Sequence, residues 1–248
     1  MALSTKLVLD GALIVLLPPC LAWHLTGNLM HEWLGLAFVL VVLWHLWLNR
    51  RWFTALLRGR YNLLRRVNLL LTALLLTAFA GTLVSGVMLS RQVFDFLDLP
   101  LVPGMNRVHM AAVSLLQLTA ALHFGLHFDG LCQRLRAKRQ QGRVPGRAQK
   151  PRRAADNAQR PLLRAGLFML LLGWAVFGLY QAGERMIFDK LFFQLEYPVF
   201  DFYESFAWSA FCQISLMQPF ALTGVLLRRA LTGRAQKSPV KKPGRAQC

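Results

Sequence analysis

The chain has 248 residues, 55% of them hydrophobic, and a formal net charge of +18 from 29 Lys and Arg against 11 Asp and Glu. A mean hydropathy of +0.40 beside that charge excludes an ordinary water-soluble domain. Apolar runs of about 20 residues, enough to cross a hydrocarbon layer of roughly 30 Å, recur six times. They lie near 5–25, 30–49, 67–89, 107–128, 162–183 and 203–227. The expected fold is therefore all-α: a polytopic membrane helix bundle with six transmembrane helices.

The first run follows Lys6, as the apolar core of a secretory signal would. Asp10 and the Pro18-Pro19 pair interrupt it and no clear A-x-A cleavage site follows, so it reads as a retained, kinked helix. The second run, HEWLGLAFVLVVLWH, begins at His31 and ends at His45. The fourth, HMAAVSLLQLTAALH, begins at His109 and ends at His123. At about 100° per residue, 14 residues return to within roughly 40° of the starting direction while climbing about 21 Å. Each pair thus marks one helix face at two depths. Imidazole is an axial ligand of haem iron, and facing helices of a bundle build cofactor sites. Two stacked haems, one per level, follow as the expectation, with interhelical hydrogen bonding by the histidines as the plainer alternative.

The loops between runs orient the chain. Arg50, Arg51, Arg58, Arg60, Arg65 and Arg66 fill the second loop, and further basic clusters fill the segments from Arg134 to Arg164 and from Arg228 to Arg245. The alternate loops hold only Arg91, Arg107, Arg185 and Lys190 beside most of the acidic residues. The positive-inside rule puts both termini in the cytoplasm and makes runs two and four parallel, with His31 and His109 on the outer side and His45 and His123 on the inner side. The charge is explained by this rule and by attraction to anionic membrane lipids, so no nucleic-acid partner is expected.

Other residues offer alternatives. His127 lies one turn beyond His123 on a nearby face and competes with it as inner ligand, or meets a propionate or a quinone head group. His24, late in the first run, is a spare outer ligand or an interfacial structural residue. Arg50 or Arg51 would neutralise inner propionates and Arg107 outer ones, although interfacial arginines need no such task. Gly35, Gly125 and the Gly81, Ser85, Gly86 series either make room for a planar cofactor or let helices pack closely. Trp44, Trp47 and Trp52 fit an interfacial belt.

The segment 129–161 and the tail 228–248 are basic, poor in apolar residues and share the string GRAQ, at 146–149, 233–236 and 244–247. Disorder is expected there, since little apolar surface is available for a core. The loop divides the chain into a four-helix transmembrane bis-haem unit (1–128) and a two-helix unit (162–227). The outer loop of the latter, GERMIFDKLFFQLEYPVFDFYES, is acidic and aromatic, suiting either a plain interfacial loop or a docking segment. The four cysteines, Cys20, Cys132, Cys212 and Cys248, include no C-x-x-C-H, so the expected haem is non-covalent haem b. No GxSxG, HExxH or P-loop is present, and the matched histidines lie too far apart in depth for one transported metal ion; only His123 and His127 could clip one.

The stretches HEWLGLAFVLVVLWHLWLNRRWF, SGVMLS and RVHMAAVSLLQLTAALHFGLH resemble the flavinylation-associated cytochrome family of bacterial membrane proteins. The resemblance covers roughly residues 5–130, and the last two runs fit more loosely. It implies a b-type cytochrome of the bacterial cytoplasmic membrane that moves electrons to or from an extracytoplasmic flavoprotein, with His31, His45, His109 and His123 as ligands. This chain shows no flavin-attachment motif in a soluble domain, so flavin would belong to a partner. A quinone-linked oxidoreductase subunit and a non-haem metal-binding or assembly protein are the remaining expectations.

Overall fold

The structure, a computed structural model, describes residues 2–56, 58, 61–141, 155–195, 197 and 201–237. Among them all regular structure is helical: α1 (Ala2–Leu21), α2 (Trp23–Leu48), α3 (Arg50–Leu56), α4 (Leu63–Leu89), α5 (Met105–Gln141), α6 (Ala155–Glu184), α7 (Ile187–Leu191) and α8 (Phe206–Lys237), with a 3-10 turn at Asp95–Leu97. Five described helical stretches have the length and hydropathy of membrane spans: Trp23–Leu48, Leu63–Leu89, Met105–Ala137, Leu163–Glu184 and Phe206–Gly233. The chain is a multi-pass membrane protein. Leu163, Leu167, Phe168, Met169 and Leu170 of α6 lie exposed, as side chains in contact with lipid should.

Helix boundaries follow from local chemistry. Pro18 and Pro19 sit in the last turn of α1. The helix gives way at Ala22, and α2 then kinks at Gly27, whose φ of 74° is a left-handed value that favours glycine. Asn62 caps α4, its side-chain oxygen accepting from the Arg65 amide at 2.9 Å. At the other end of α4 the Glu32 carboxylate gathers the Ser90 hydroxyl at 2.5 Å and the amides of Arg91, Gln92 and Val93 at 3.0, 3.2 and 2.7 Å. That cluster ties the start of α2 to the end of α4.

α5 is the middle of the bundle. α4 packs along one side of it, α8 along another, and α6 lies on α8. Glycine sets the α5–α8 distance. A Cβ on Gly125 would sit 3.0 Å from the Gly224 Cα and press into the Ala221 carbonyl, while one on Gly224 would strike the Leu122 carbonyl. Of the two readings of Gly125, room for a cofactor or close packing, the structure selects packing. Gln117 donates to Gln213 at 2.9 Å across the same interface, and Arg228 donates to the Leu126 carbonyl at 2.7 Å. An interhelical bond of this kind contributes about 0.6 kcal/mol in a membrane, so the backbone approach rather than the amide pair fixes the interface. The two-helix unit of the sequence reading is thus fused to the four-helix unit through α5.

Two expectations change for 129–161 and the tail. α5 continues to Gln141, α6 starts at Ala155, and α8 continues to Lys237, so the described parts of both basic segments are helical rather than disordered. Propagating an existing helix is cheap, and Arg, Lys, Gln, Leu and Ala are good helix formers even where no core is available. Residues 142–154 and 238–248, with two of the GRAQ copies, lie outside the described residues.

Candidate functional site

α2 meets α4 and α5 through side chains. Phe38, Val39 and Val42 of α2 pack against Leu75, Ala78 and Phe79 of α4 and Leu115 and Leu116 of α5. Phe38 is seven residues from both His31 and His45, and Leu116 seven from both His109 and His123. This apolar layer separates two histidine levels about 21 Å apart along the helix axis. The same offset of 78 residues relates His31 to His109, Phe38 to Leu116 and His45 to His123, so α2 and α5 run parallel.

At the first level the rings of His31 and His109 face each other, centroids 6.4 Å apart and planes 82° apart. His109 is held from α4. Its Nδ1 lies 2.9 Å from the Ser85 hydroxyl oxygen, and the Ser85 hydroxyl proton is already given to the Gly81 carbonyl at 2.6 Å. With that proton on Gly81, Ser85 accepts from His109 Nδ1 and the Nε2 lone pair is left available. Gly86 lies against the ring, where a Cβ would meet His109 Cε1 at 3.4 Å, an ordinary van der Waals contact. The partner, His31, has a buried Nδ1 with no hydrogen-bond partner.

The second level repeats the scheme with different groups. His45 Nδ1 faces the Asp10 carboxylate of α1 at 3.1 Å. Asn49 Nδ2 approaches His45 Nε2 at 3.3 Å, a weak contact at the edge of hydrogen-bonding range. His45 lies within electrostatic reach of His123, whose Nδ1 is also buried without a partner. His127 stacks near His123, with centroids 4.6 Å apart, but is exposed and its Nε2 is engaged by the Asn68 side-chain oxygen at 3.0 Å. Each level thus couples a histidine tethered from a third helix to a histidine carrying an orphaned buried nitrogen.

Buried side-chain atoms without a partner also occur away from the levels, at Thr72, Arg185 and Gln218, so the orphaned nitrogens point to a ligand only together with the facing of the rings. Two imidazoles bound to one transition-metal ion, with metal–nitrogen bonds of about 2.0–2.1 Å, hold their ring centres about 6–6.5 Å apart. The 6.4 Å separation at the first level matches that span. Among the described residues no three of His, Cys, Asp or Glu converge, so neither level offers the three or four protein ligands of a zinc-type centre there. What the chain presents is a facing histidine pair at the first level and two neighbouring histidines, His45 and His123, at the second.

The remaining candidates sit elsewhere. His24 Nε2 meets Glu204 Oε1 at 2.8 Å, and Arg185 binds the other carboxylate oxygen at 3.0 Å. This buried cluster ties the α1–α2 junction to the loops around α7, and gives His24 the structural role. Nearby, burial and then the adjacent Arg185 pull the Lys190 ammonium down to about 8. Arg50 is exposed with its guanidinium 4.5 Å over the Trp47 ring, and Arg107 is exposed in the first turn of α5. Asp10 and Ser85 are the functional candidates that spacing missed. Asp10 carried a signal, a carboxylate inside an apolar run, because an ionised group there needs a partner.

No known protein family, curated protein or solved structure matches this chain.

Proposed function

We propose that the chain is a dihaem b-type cytochrome that carries electrons across the cytoplasmic membrane of a bacterium. The observation that carries this reading is the repeated pairing of a tethered imidazole with an orphaned buried one, at two depths on two parallel helices. His31 and His109 would hold one haem, His45 and His123 the other. The engagement of His127 by Asn68 favours His123 as ligand. Haem held by two imidazoles supplies reversible one-electron exchange at iron without an open position for bond chemistry. The protein side orients the rings. Ser85 and Asp10 stand at Nδ1 of His109 and His45, so Nε2 of each would be the nitrogen offered to a haem, at His45 in place of its weak contact with Asn49. The Phe38–Leu116 layer separates the two levels.

α1 serves in this reading as a sixth span, since its 20 residues reach about 30 Å at about 1.5 Å per residue. The basic ends of the helices then face the cytoplasm, with both termini there, by the positive-inside rule. The outer partner, an extracytoplasmic flavoprotein, rests on the family resemblance of residues 5–130. Two levels about 21 Å apart bring redox centres near both faces of a layer roughly 30 Å thick. Reconstitution into sealed vesicles tests this directly. External reductant should reduce an impermeant acceptor trapped inside, and vesicles carrying His45→Ala protein should not. Protein that is reducible but never conducts would contradict the reading.

A further inference from the structure

We infer that Asp10 is a positioning residue that sets the electronic character of the second histidine level, an inference that rests on the haem reading. Asp10 lies in α1, a helix that contributes no histidine to either level. Its Oδ1 stands 3.1 Å from His45 Nδ1. Its Oδ2 is 4.0 Å from the Arg134 guanidinium of α5, too long for a hydrogen bond. Asn49 takes a hydrogen bond from Lys6 Nζ at 3.0 Å, donates to the His45 carbonyl at 2.9 Å and approaches His45 Nε2 at 3.3 Å, a weak contact that a metal on Nε2 would displace. The closer of the two cationic or imidazole neighbours of Asp10 is therefore the ring nitrogen His45 Nδ1.

The two levels differ in the acceptor they offer. At the first, the Nδ1 proton of His109 goes to a neutral hydroxyl, Ser85. At the second, His45 Nδ1 faces the carboxylate of Asp10 at 3.1 Å. A carboxylate draws an Nδ1 proton toward itself and raises the basicity of the ring, so the opposite nitrogen donates more strongly to its metal. Stronger donation stabilises the ferric state relative to the ferrous state and lowers the reduction potential, one of the ways a protein tunes a haem. The positive groups around Asp10, Arg134 and Lys6, and the rings of His123 and His127, remain in place in a variant that changes Asp10 alone. The effect of the carboxylate is thus separable from theirs.

The test is a spectroelectrochemical titration of the purified full-length protein, compared with Asp10→Asn and Asp10→Glu. Wild type should titrate in two one-electron steps. Asp10→Asn should shift upward the step that disappears in His45→Ala, leaving the other step in place, and Asp10→Glu should restore much of the lower value. Ser85→Ala should move only the other step. Two steps that superpose on wild type in Asp10→Asn would overturn the inference while leaving the haem reading intact. Loss of one haem in both Asp10 variants would make Asp10 a packing residue and also overturn it. Wild-type protein that binds no haem would remove the reading on which the inference stands.

Discussion

Alanine at His31 or at His109 is expected to remove one and the same haem, while alanine at His45 or at His123 removes the other. The haem content of each purified variant should fall from about two to about one per chain. The reason is geometric. His31 and His109 are ring neighbours across α2 and α5, and His45 and His123 occupy the corresponding place about 21 Å along the same helices. On the haem reading, losing one imidazole of a pair would leave a single protein ligand to hold the cofactor. Pairwise double variants within a level should lose no more haem than either single variant, and double variants across levels should lose both. His127→Ala should keep both haems, because its Nε2 is engaged by Asn68. Absorption spectra and haem counts on each variant check the pattern. His31→Ala and His123→Ala emptying the same site would contradict it.

A large effect on stability is expected at Gly125. Gly125→Leu places a branched side chain where even a Cβ would press into the Ala221 carbonyl, so α8 must move away from α5 along the membrane. Overpacking a core costs about 1–3 kcal/mol when side chains can yield, and more when the obstacle is backbone. Membrane domains held together by packing rather than by hydrophobic burial have little else to offset that loss. Gly125→Leu should therefore fail to accumulate as folded protein in mild detergent, by size-exclusion chromatography and thermal aggregation. Gly35→Leu is the control: a Cβ at Gly35 meets nothing within 4 Å, and the folded yield should survive. Equal loss in both would mean that the α5–α8 approach is not what limits stability.

Spacing made much of the helix framework legible, and the reason is that periodicity along one helix is a local property. The apolar runs overlap all five described spans, matching Leu163–Glu184 to one residue at each end but starting seven residues late on Trp23–Leu48 and stopping nine short on Met105–Ala137. The two 14-residue intervals located the faces of α2 and α5 that meet. Contacts between helices were beyond it. Nothing in the sequence says that Asp10 lies against His45, that Ser85 tethers His109, or that Glu204 holds His24, because each pair joins separate helices or loops whose rotation is set by packing. The glycines show the same limit. Gly125 is demanded by the close approach of α8 while Gly86 only touches the His109 ring, although both are small residues near a histidine. Composition misled in the basic segments, where lack of apolar residues argued against structure while the existing helix of α5 simply continued.

The central claim is that the two histidine levels bind haem, and a single measurement on the purified protein bears on it most directly. The chain should be expressed with adequate haem supply, solubilised in mild detergent and assayed by the pyridine haemochrome method. About two haems per chain, extractable into acidified organic solvent and with the spectrum of six-coordinate haem b, are the expected result. Protein that is folded by size-exclusion chromatography yet shows no Soret absorption would contradict the account.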